Sequence, residues 1–285
     1  MSGDLDRRAL TTVQIHRYSG RLLRAESDRV AREEPLEIRL GFELLGEPAQ
    51  RSISVTMRTP GDDEALAVGF LFAEGLIDGA DDIASVERCP DEAGSDENIL
   101  RLQLAPGRTV DLGGLQRNFY TTSSCGVCGK ASLQALEMED LPDLHDAKLT
   151  VPATLLASIP GRLRRRQSLF EATGGVHAAG LFDLSGQLVE ICEDVGRHNA
   201  MDKLVGRRLI AGASTSSDHL LGLSGRASFE LLQKALRAQI PLVVAVGAPS
   251  SLAVDLAHRF GVTLVGFARE DRFNVYTHPR RIADR

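Results

Sequence analysis

A chain of 285 residues can bury a good core and suits one large domain or two smaller ones. Hydrophobic residues at 43% and charged residues at 25% are ordinary for a soluble globular protein, and a net charge of −6 argues against broad nucleic-acid binding while leaving room for local basic patches. Only 4 cysteines occur, so the chain is not a disulfide scaffold.

Residues 1–20 are polar, lack the apolar core of a signal peptide and read as a flexible N-terminus. An N-terminal α+β region over 21–118 follows. Within it, 36–40 and 52–57 alternate apolar and polar residues, which predicts a hairpin between Glu37 and Met57. Thr59-Pro60-Gly61-Asp62-Asp63-Glu64 opens a helix that runs to Glu74, with Asp62 or Asp63 as its cap and Gly75 as its stop. Strand-like stretches follow at 83–88 and 98–104, separated by turn residues at 90–95.

The third segment, 119–140, holds the run Ser124-Cys125-Gly126-Val127-Cys128-Gly129-Lys130 ahead of a short helix-like stretch at 131–138. Two thiols at this spacing can share a bond, a metal or a sulfur atom. The glycines strip bulk from beside each sulfur, Lys130 adds a positive charge, and a following helix N-terminus favours thiolate over thiol. In the cytoplasm, the expected compartment, such a pair is catalytic or metal-binding sooner than structural. A structural zinc site needs two more ligands, and Cys89 and Cys192 are distant single cysteines that read as small buried apolar residues. A thioredoxin-like pair lacks its usual setting, since there is no tryptophan and no clear βαβ unit upstream. A sulfur-relay pair needs one exposed thiol of low pKa with a second nearby. The spacing by itself leaves these three readings open.

An α/β domain over 141–285 completes the chain. A helix opens at Pro152, Glu171-Ala172-Thr173-Gly174-Gly175 makes a turn, and 176–183 with 187–193 form a hairpin around Ser185-Gly186. A helix over 198–209 precedes an alternation of strand (219–223), helix (227–237), strand (242–246), helix (250–260) and strand (263–267). The apolar run 240–246 is far too short to span a bilayer. This alternation predicts a layered, largely parallel sheet, whose ligands collect outside the strand carboxyl ends. Those ends are Ser224-Gly225-Arg226, Gly247-Ala248-Pro249-Ser250-Ser251 and Ala268-Arg269-Glu270-Asp271-Arg272, a rim rich in hydroxyls and arginine that suits an anion.

Two further clusters stand out. His177 follows a double glycine at a strand start, where a packed histidine and a ligand-binding one are equally compatible with the pattern. Glu193 to Lys203 concentrates Asp194, Arg197, His198, Asn199 and Lys203 at a strand-to-helix junction. The first helical turn attracts phosphate or carboxylate, which favours a binding role over a merely capped and solvated helix. Arg162, Arg164, Arg165 and Arg166 read as a solvated basic face. Neither G-x-G-x-x-G nor a Walker P-loop occurs.

From about Glu34 onward the chain resembles the FdhD family of sulfur-carrier proteins required for formate dehydrogenase activity. The resemblance is carried by Met57-Arg58-Thr59-Pro60, Gly69-Phe70-Leu71-Phe72-Ala73-Glu74-Gly75, Ser124-Cys125-Gly126-Val127-Cys128-Gly129, Thr173-Gly174-Gly175-Val176-His177-Ala178-Ala179, Glu193-Asp194-Val195-Gly196-Arg197-His198-Asn199-Ala200, Ser224-Gly225-Arg226 and Gly266-Phe267-Ala268-Arg269. It implies a sulfurtransferase that takes sulfur from a cysteine desulfurase as a persulfide on Cys125, with Cys128 as partner thiol. The sulfur goes to the molybdenum of bis-(molybdopterin guanine dinucleotide), a client held transiently and no permanent cofactor, before that cofactor enters the formate dehydrogenase catalytic subunit. Phe267, Ala268, Arg269, Glu270, Asp271 and Arg272 match the segment tied to the client. With the residue clusters above, His177, Arg197, His198, Asn199, Lys203 and Arg226 complete the candidate cofactor site. The resemblance further implies a homodimer with a cytidine-deaminase-like layered sheet in the C-terminal half.

That fold likeness raises a zinc deaminase as a rival, but the required His-x-Glu occurs nowhere, Glu193 is adjacent to Cys192, and the Cys-x-x-Cys precedes rather than follows the candidates. No metal site is expected. A cofactor-carrying chaperone that moves no sulfur is the other alternative.

Overall fold

A computed structural model gives the fold and describes residues 7–44, 46–90, 98–108, 141–213 and 216–284. Cys125, Cys128 and Lys130 lie outside the described residues, as does the helix expected at 131–138.

The first element corrects the expected flexible N-terminus. Strand β1 (Leu10–Ser19) pairs antiparallel with β2 (Leu22–Ala31), in register from Leu10↔Ala31 to Ser19↔Leu22. The two-residue turn has Gly20 at φ 55 and Arg21 at φ 74, the left-handed pair that matches the twist of a tight hairpin. Its root packs Leu10 and Ala31 with the buried Ala9, Leu169 and Val176.

The expected hairpin follows. Strand β3 (Glu34–Leu44) runs antiparallel to β4 (Glu47–Arg58) and parallel to β6 (Ile99–Leu104), which pairs in turn with β5 (Ile83–Arg88). Leu36, Ile38, Leu40 and Phe42 alternate onto one buried face, as the two-residue period of a strand requires. Helix α1 (Asp63–Ala73) is buried almost all round. Neither acid caps it by side chain: Asp62 sits at φ 56 without a cap bond, while the Asp63 carboxylate is held by Arg58 at 2.9 and 3.1 Å.

Past β7 (Val151–Pro152), helices α2 (Ala153–Arg164) and α3 (Ser168–Thr173) lead into a six-stranded sheet. Its members are β8 (His177–Phe182), β9 (Leu188–Asp194), β10 (Leu220–Leu223), β11 (Leu242–Ala245), β12 (Thr263–Arg269) and β13 (Arg272–Val275), ordered β13-β12-β11-β10-β8-β9. Only β10, β11 and β12 are mutually parallel; β8, β9 and β13 join antiparallel, so the expectation of a largely parallel sheet holds for the centre alone. Strand β12 runs on to Arg269, past the expected end at 267, and β13 adds an unexpected strand at the sheet edge.

Successive residues of the central strands face opposite layers. Leu221, Leu223, Val243 and Ala245 join the core under α4 (Arg197–Ile210), α5 (Phe229–Arg237) and α6 (Ser251–Arg259). Leu220, Leu242 and Val244 instead meet Leu156, Ile159 and Leu163 of α2. The result is a mixed α/β fold with helices on both faces of the large sheet. The smaller sheet joins it through α1 and α4, whose backbones touch: a Cβ on Gly69 would lie 1.9 Å from the Asp202 carbonyl oxygen, and one on Gly206 would lie 1.8 Å from that of Ala65. No other residue fits either position.

Candidate functional site: a cleft at the strand ends

Three parallel strands deliver three loops to one edge of the sheet, and backbone hydrogen bonds lace them together. Gly247 N donates to Gly225 O at 2.8 Å, Ala227 N to Ala248 O at 3.2 Å, and Phe267 N to Gly247 O at 3.1 Å. Gly247 is necessary because its Cβ would come within 2.9 Å of Arg226 backbone atoms. His177, at the start of β8, lies against Gly225, where a Cβ would meet its ring at 3.2 Å. Beside it, Ala178 N donates to Ser224 Oγ at 2.8 Å.

The end of β12 is irregular. Its pairing with β13 shifts between Gly266 and Arg269, and Phe267 adopts φ 52 with its ring 46% exposed. An aromatic residue in left-handed backbone is strained, and such strain collects at functional sites. The Arg269 guanidinium donates to Val246 O at 2.8 Å and to Ala268 O at 2.7 Å, which pins it across the strand ends.

These loops, the C-terminal end of α2 and the α3–β8 connection enclose a cleft of about 630 Å³. His177, Ala268, Arg269 and Glu270 line it, together with Gln167 and Phe170. Arg164, also in the lining, places its guanidinium 4.4 Å from the Phe170 ring centre. Burial holds the half-buried His177 below the ordinary histidine range, and the Arg197 and His198 charges push it further down against the pull of Asp194. Arg226, Asp271 and Arg272 are exposed on or beside the strand-end loops and are not among the residues that line the cleft. Arg197 opens α4, its buried Nε without a hydrogen-bond partner. His198 Nε2 contacts Glu230 at 2.9 Å and Ser228 Oγ at 3.2 Å.

Two expected rim residues turn inward. Lys203 is 2% exposed, with its ammonium 2.7 Å from Asp194 and 2.7 Å from Thr59 O. Asn199 donates to Met57 O at 2.7 Å and to Asp194 at 3.1 Å. Asp194, expected near the helix cap, also accepts from Thr59 N and Gly196 N, and Gly196 takes the cap position. Glu193 accepts from Leu169 N and Phe170 N and so caps α3 from a neighbouring strand. Most of the 193–203 cluster therefore binds the fold together; Arg197 and His198 are half-buried, and neither lines the cleft.

Sequence reading missed Arg164, Gln167 and Phe170 as cleft residues. Arg164 was visible only as one of a basic run, and nothing local marks Gln167 or Phe170. Cys192 is buried, which pushes its thiol up to about 12 and removes it as a nucleophile at neutral pH, whereas Cys89 is only half-buried. Among the described residues no group of three or more His, Cys, Asp or Glu side chains could hold a metal ion, and no helix is long and apolar enough to cross a membrane.

Fold and cleft define a mixed α/β protein whose strand ends suit a polar, anionic ligand. The chain belongs to the FdhD/NarQ family, whose model matches residues 31–283. It is 50% identical over 260 residues to the sulfur carrier protein FdhD of Streptomyces avermitilis, covering 90% of this chain and 89% of that one. The Mycobacterium tuberculosis protein of the same name is 47% identical over 266 residues, with 90% and 92% covered. That of Sulfurisphaera tokodaii is 39% identical over 270 residues, with 95% and 98% covered. A Desulfotalea psychrophila protein, described in its crystal structure as a formate dehydrogenase accessory protein, superposes with a TM-score of 0.73 at 27% identity over 96% of this chain and 100% of that one.

Proposed function

We propose that this protein is a sulfurtransferase that carries sulfur as a Cys125 persulfide from a cysteine desulfurase to the molybdenum of bis-(molybdopterin guanine dinucleotide), for use by formate dehydrogenase. The observation that carries this reading is the family match over residues 31–283, a span that includes both cysteines. In the first step the Cys125 thiolate attacks the outer sulfur of the desulfurase persulfide. One S–S bond forms, one breaks, and the desulfurase cysteine leaves as thiolate. Lys130 stabilises the anionic persulfide. Cys128 then attacks the Cys125 sulfur, closes a disulfide and expels the terminal sulfur as sulfide to molybdenum. The two thiols supply the two electrons, and a dithiol reductant resets the pair.

The cleft supports the docking half of this reading. At about 630 Å³ it suits one nucleotide end of the client rather than the whole. Arg269 in its lining, with Arg272 and Arg226 exposed on or beside the neighbouring strand-end loops, would meet the diphosphates, and Phe267 offers an exposed side chain for stacking. Asn199 and Lys203 drop from the site because their polar groups are held internally. The same reading keeps the protein in the cytoplasm, as a homodimer with deaminase-like layering of its large sheet.

Intact-mass measurement after incubation with a desulfurase and cysteine tests the scheme. A gain of about 32 Da that maps to Cys125 and vanishes in Cys125→Ala is the expected result. Normal dehydrogenase maturation in cells that carry only Cys125→Ala would discard it.

A further inference from the structure

We propose that Gln167, which lies outside every segment tied above to the client, reads the base in the cleft. The edge it reads is the 2-amino-4-oxopyrimidine edge common to guanine and pterin, and Glu270 completes the recognition. This rests on the docking reading and extends it to the chemistry of specificity.

Gln167 is 4% exposed and lines the cleft. Its backbone is fully engaged: its N–H donates to Arg164 O, and its carbonyl accepts from Glu171 N at 2.9 Å. Its carboxamide makes no hydrogen bond to any described residue. A carboxamide that lines a cleft and bonds no described residue is available to a ligand there.

The ordinary local use of this side chain is also closed off. Gln167 stands at the N-cap of α3, yet makes no side-chain cap bond. The N–H groups of Leu169 and Phe170 that a cap would satisfy are taken by Glu193, at 2.8 and 2.9 Å. A carboxylate from the neighbouring strand does the capping, and the amide is left to the cleft.

The surroundings suit a flat heterocycle. Phe170 lines the same space with Arg164 over its ring. Gly174 and Gly175 border it without side chains: a Cβ on Gly174 would meet nothing within 4 Å, and one on Gly175 would approach only Ala31 Cβ at 3.7 Å and Thr173 O at 3.9 Å. A ring can therefore lie close to the backbone.

Hydrogen-bond chemistry then selects the ligand. The carboxamide N–H can donate to the ring carbonyl of a lactam, but it can equally donate to a ring nitrogen of adenine. Glu270 breaks that tie. Its carboxylate lines the cleft against Gly161, where a Cβ would come within 2.8 Å of Oε1. Ionised, it only accepts, so it favours two neighbouring donors. The ring N–H and exocyclic amine of guanine or pterin provide them, and adenine puts an acceptor in that place.

Calorimetry on the full chain with GDP, ADP and 6-hydroxymethylpterin tests this. Wild type should bind GDP over ADP, and Gln167→Met should lose about tenfold in GDP affinity. The melting temperature of ligand-free Gln167→Met should stay level, because the swap nearly conserves volume and breaks no side-chain hydrogen bond to a described residue. Glu270→Gln should narrow the preference for GDP over ADP by about tenfold. If the pterin displaces GDP and is weakened in the same variant, the pterin end of the client is a source of the edge; if GDP alone responds, the guanine end is.

Unchanged GDP affinity in Gln167→Met overturns the inference. So does an equal loss for GDP and ADP with a lowered melting temperature, the signature of a structural role. Wild type that binds GDP while ignoring Gln167→Met removes this inference alone. Wild type that binds neither GDP nor the pterin removes the docking reading with it.

Discussion

Two polar regions of this molecule sit side by side and do opposite things. Around Asp194, buried charge is saturated: Lys203, Asn199, Thr59 N and Gly196 N all converge on one carboxylate that is 0% exposed. Around the cleft, polar groups wait. The Gln167 amide lines the cleft and bonds no described residue, Arg197 near His177 keeps an unbonded buried Nε, and no hydrogen bond or ion pair within the described chain engages the side chains of Arg226 and Arg272. The contrast teaches that density of charged residues is a poor mark of function. Unsatisfied hydrogen-bonding capacity beside open space is a better one.

The largest expected effect breaks the saturated region. Asp194→Ala strands the Lys203 ammonium in the core and should destabilise the fold by about 3–5 kcal/mol, measured by chemical denaturation. A loss under about 1 kcal/mol would mean that the knot is not structural. At the cleft the pattern reverses. Arg272→Ala should lower GDP affinity about tenfold by calorimetry, while stability stays within about 0.5 kcal/mol of wild type. An unchanged affinity would take Arg272 off the site.

The smallest effect concerns pH. Free His177 is held below the ordinary histidine range, so at neutral pH it is mostly neutral, and a bound diphosphate would favour its charged form. Binding then takes up a proton, and affinity rises as pH falls from 8 towards 6, by roughly threefold. The ligand-free protein moves the other way: a depressed histidine loses stability as pH drops below its unfolded value. His177→Gln should flatten the affinity profile, and titrations in buffers of different ionisation enthalpy should then register no proton uptake. A profile equally steep in the variant assigns the dependence to another group.

Strong local periodicity made much of the fold legible. The β3–β4 hairpin, α1 and the alternation from β10 to β12 all show alternating or continuous apolar runs bounded by turn residues. The β1–β2 hairpin was hidden because both faces are largely solvated, so no apolar stripe marks it; Gly20-Arg21 was the single local cue. Strand β13 escaped because its four residues are mostly exposed at the sheet edge.

At the site, topology located the rim, since parallel strands send their loops to a common end. The facing of Asn199 and Lys203 could not be read, because a helix start looks the same whether its polar side chains meet a ligand or a distant backbone such as 57–59. Gln167 was invisible for the complementary reason. Its importance lies in a bond it does not make, because Glu193, 26 residues further along the chain, makes that bond instead.

The meeting of α1 and α4 at Gly69 and Gly206 restricts how the molecule can work. Where two helices touch main chain to main chain, no side chains lie between them to change rotamer and absorb a slide. The two sheets are thereby riveted at that crossing. A slide between the two sheets at that crossing is therefore costly, whereas strand-end loops and individual side chains can move without disturbing it.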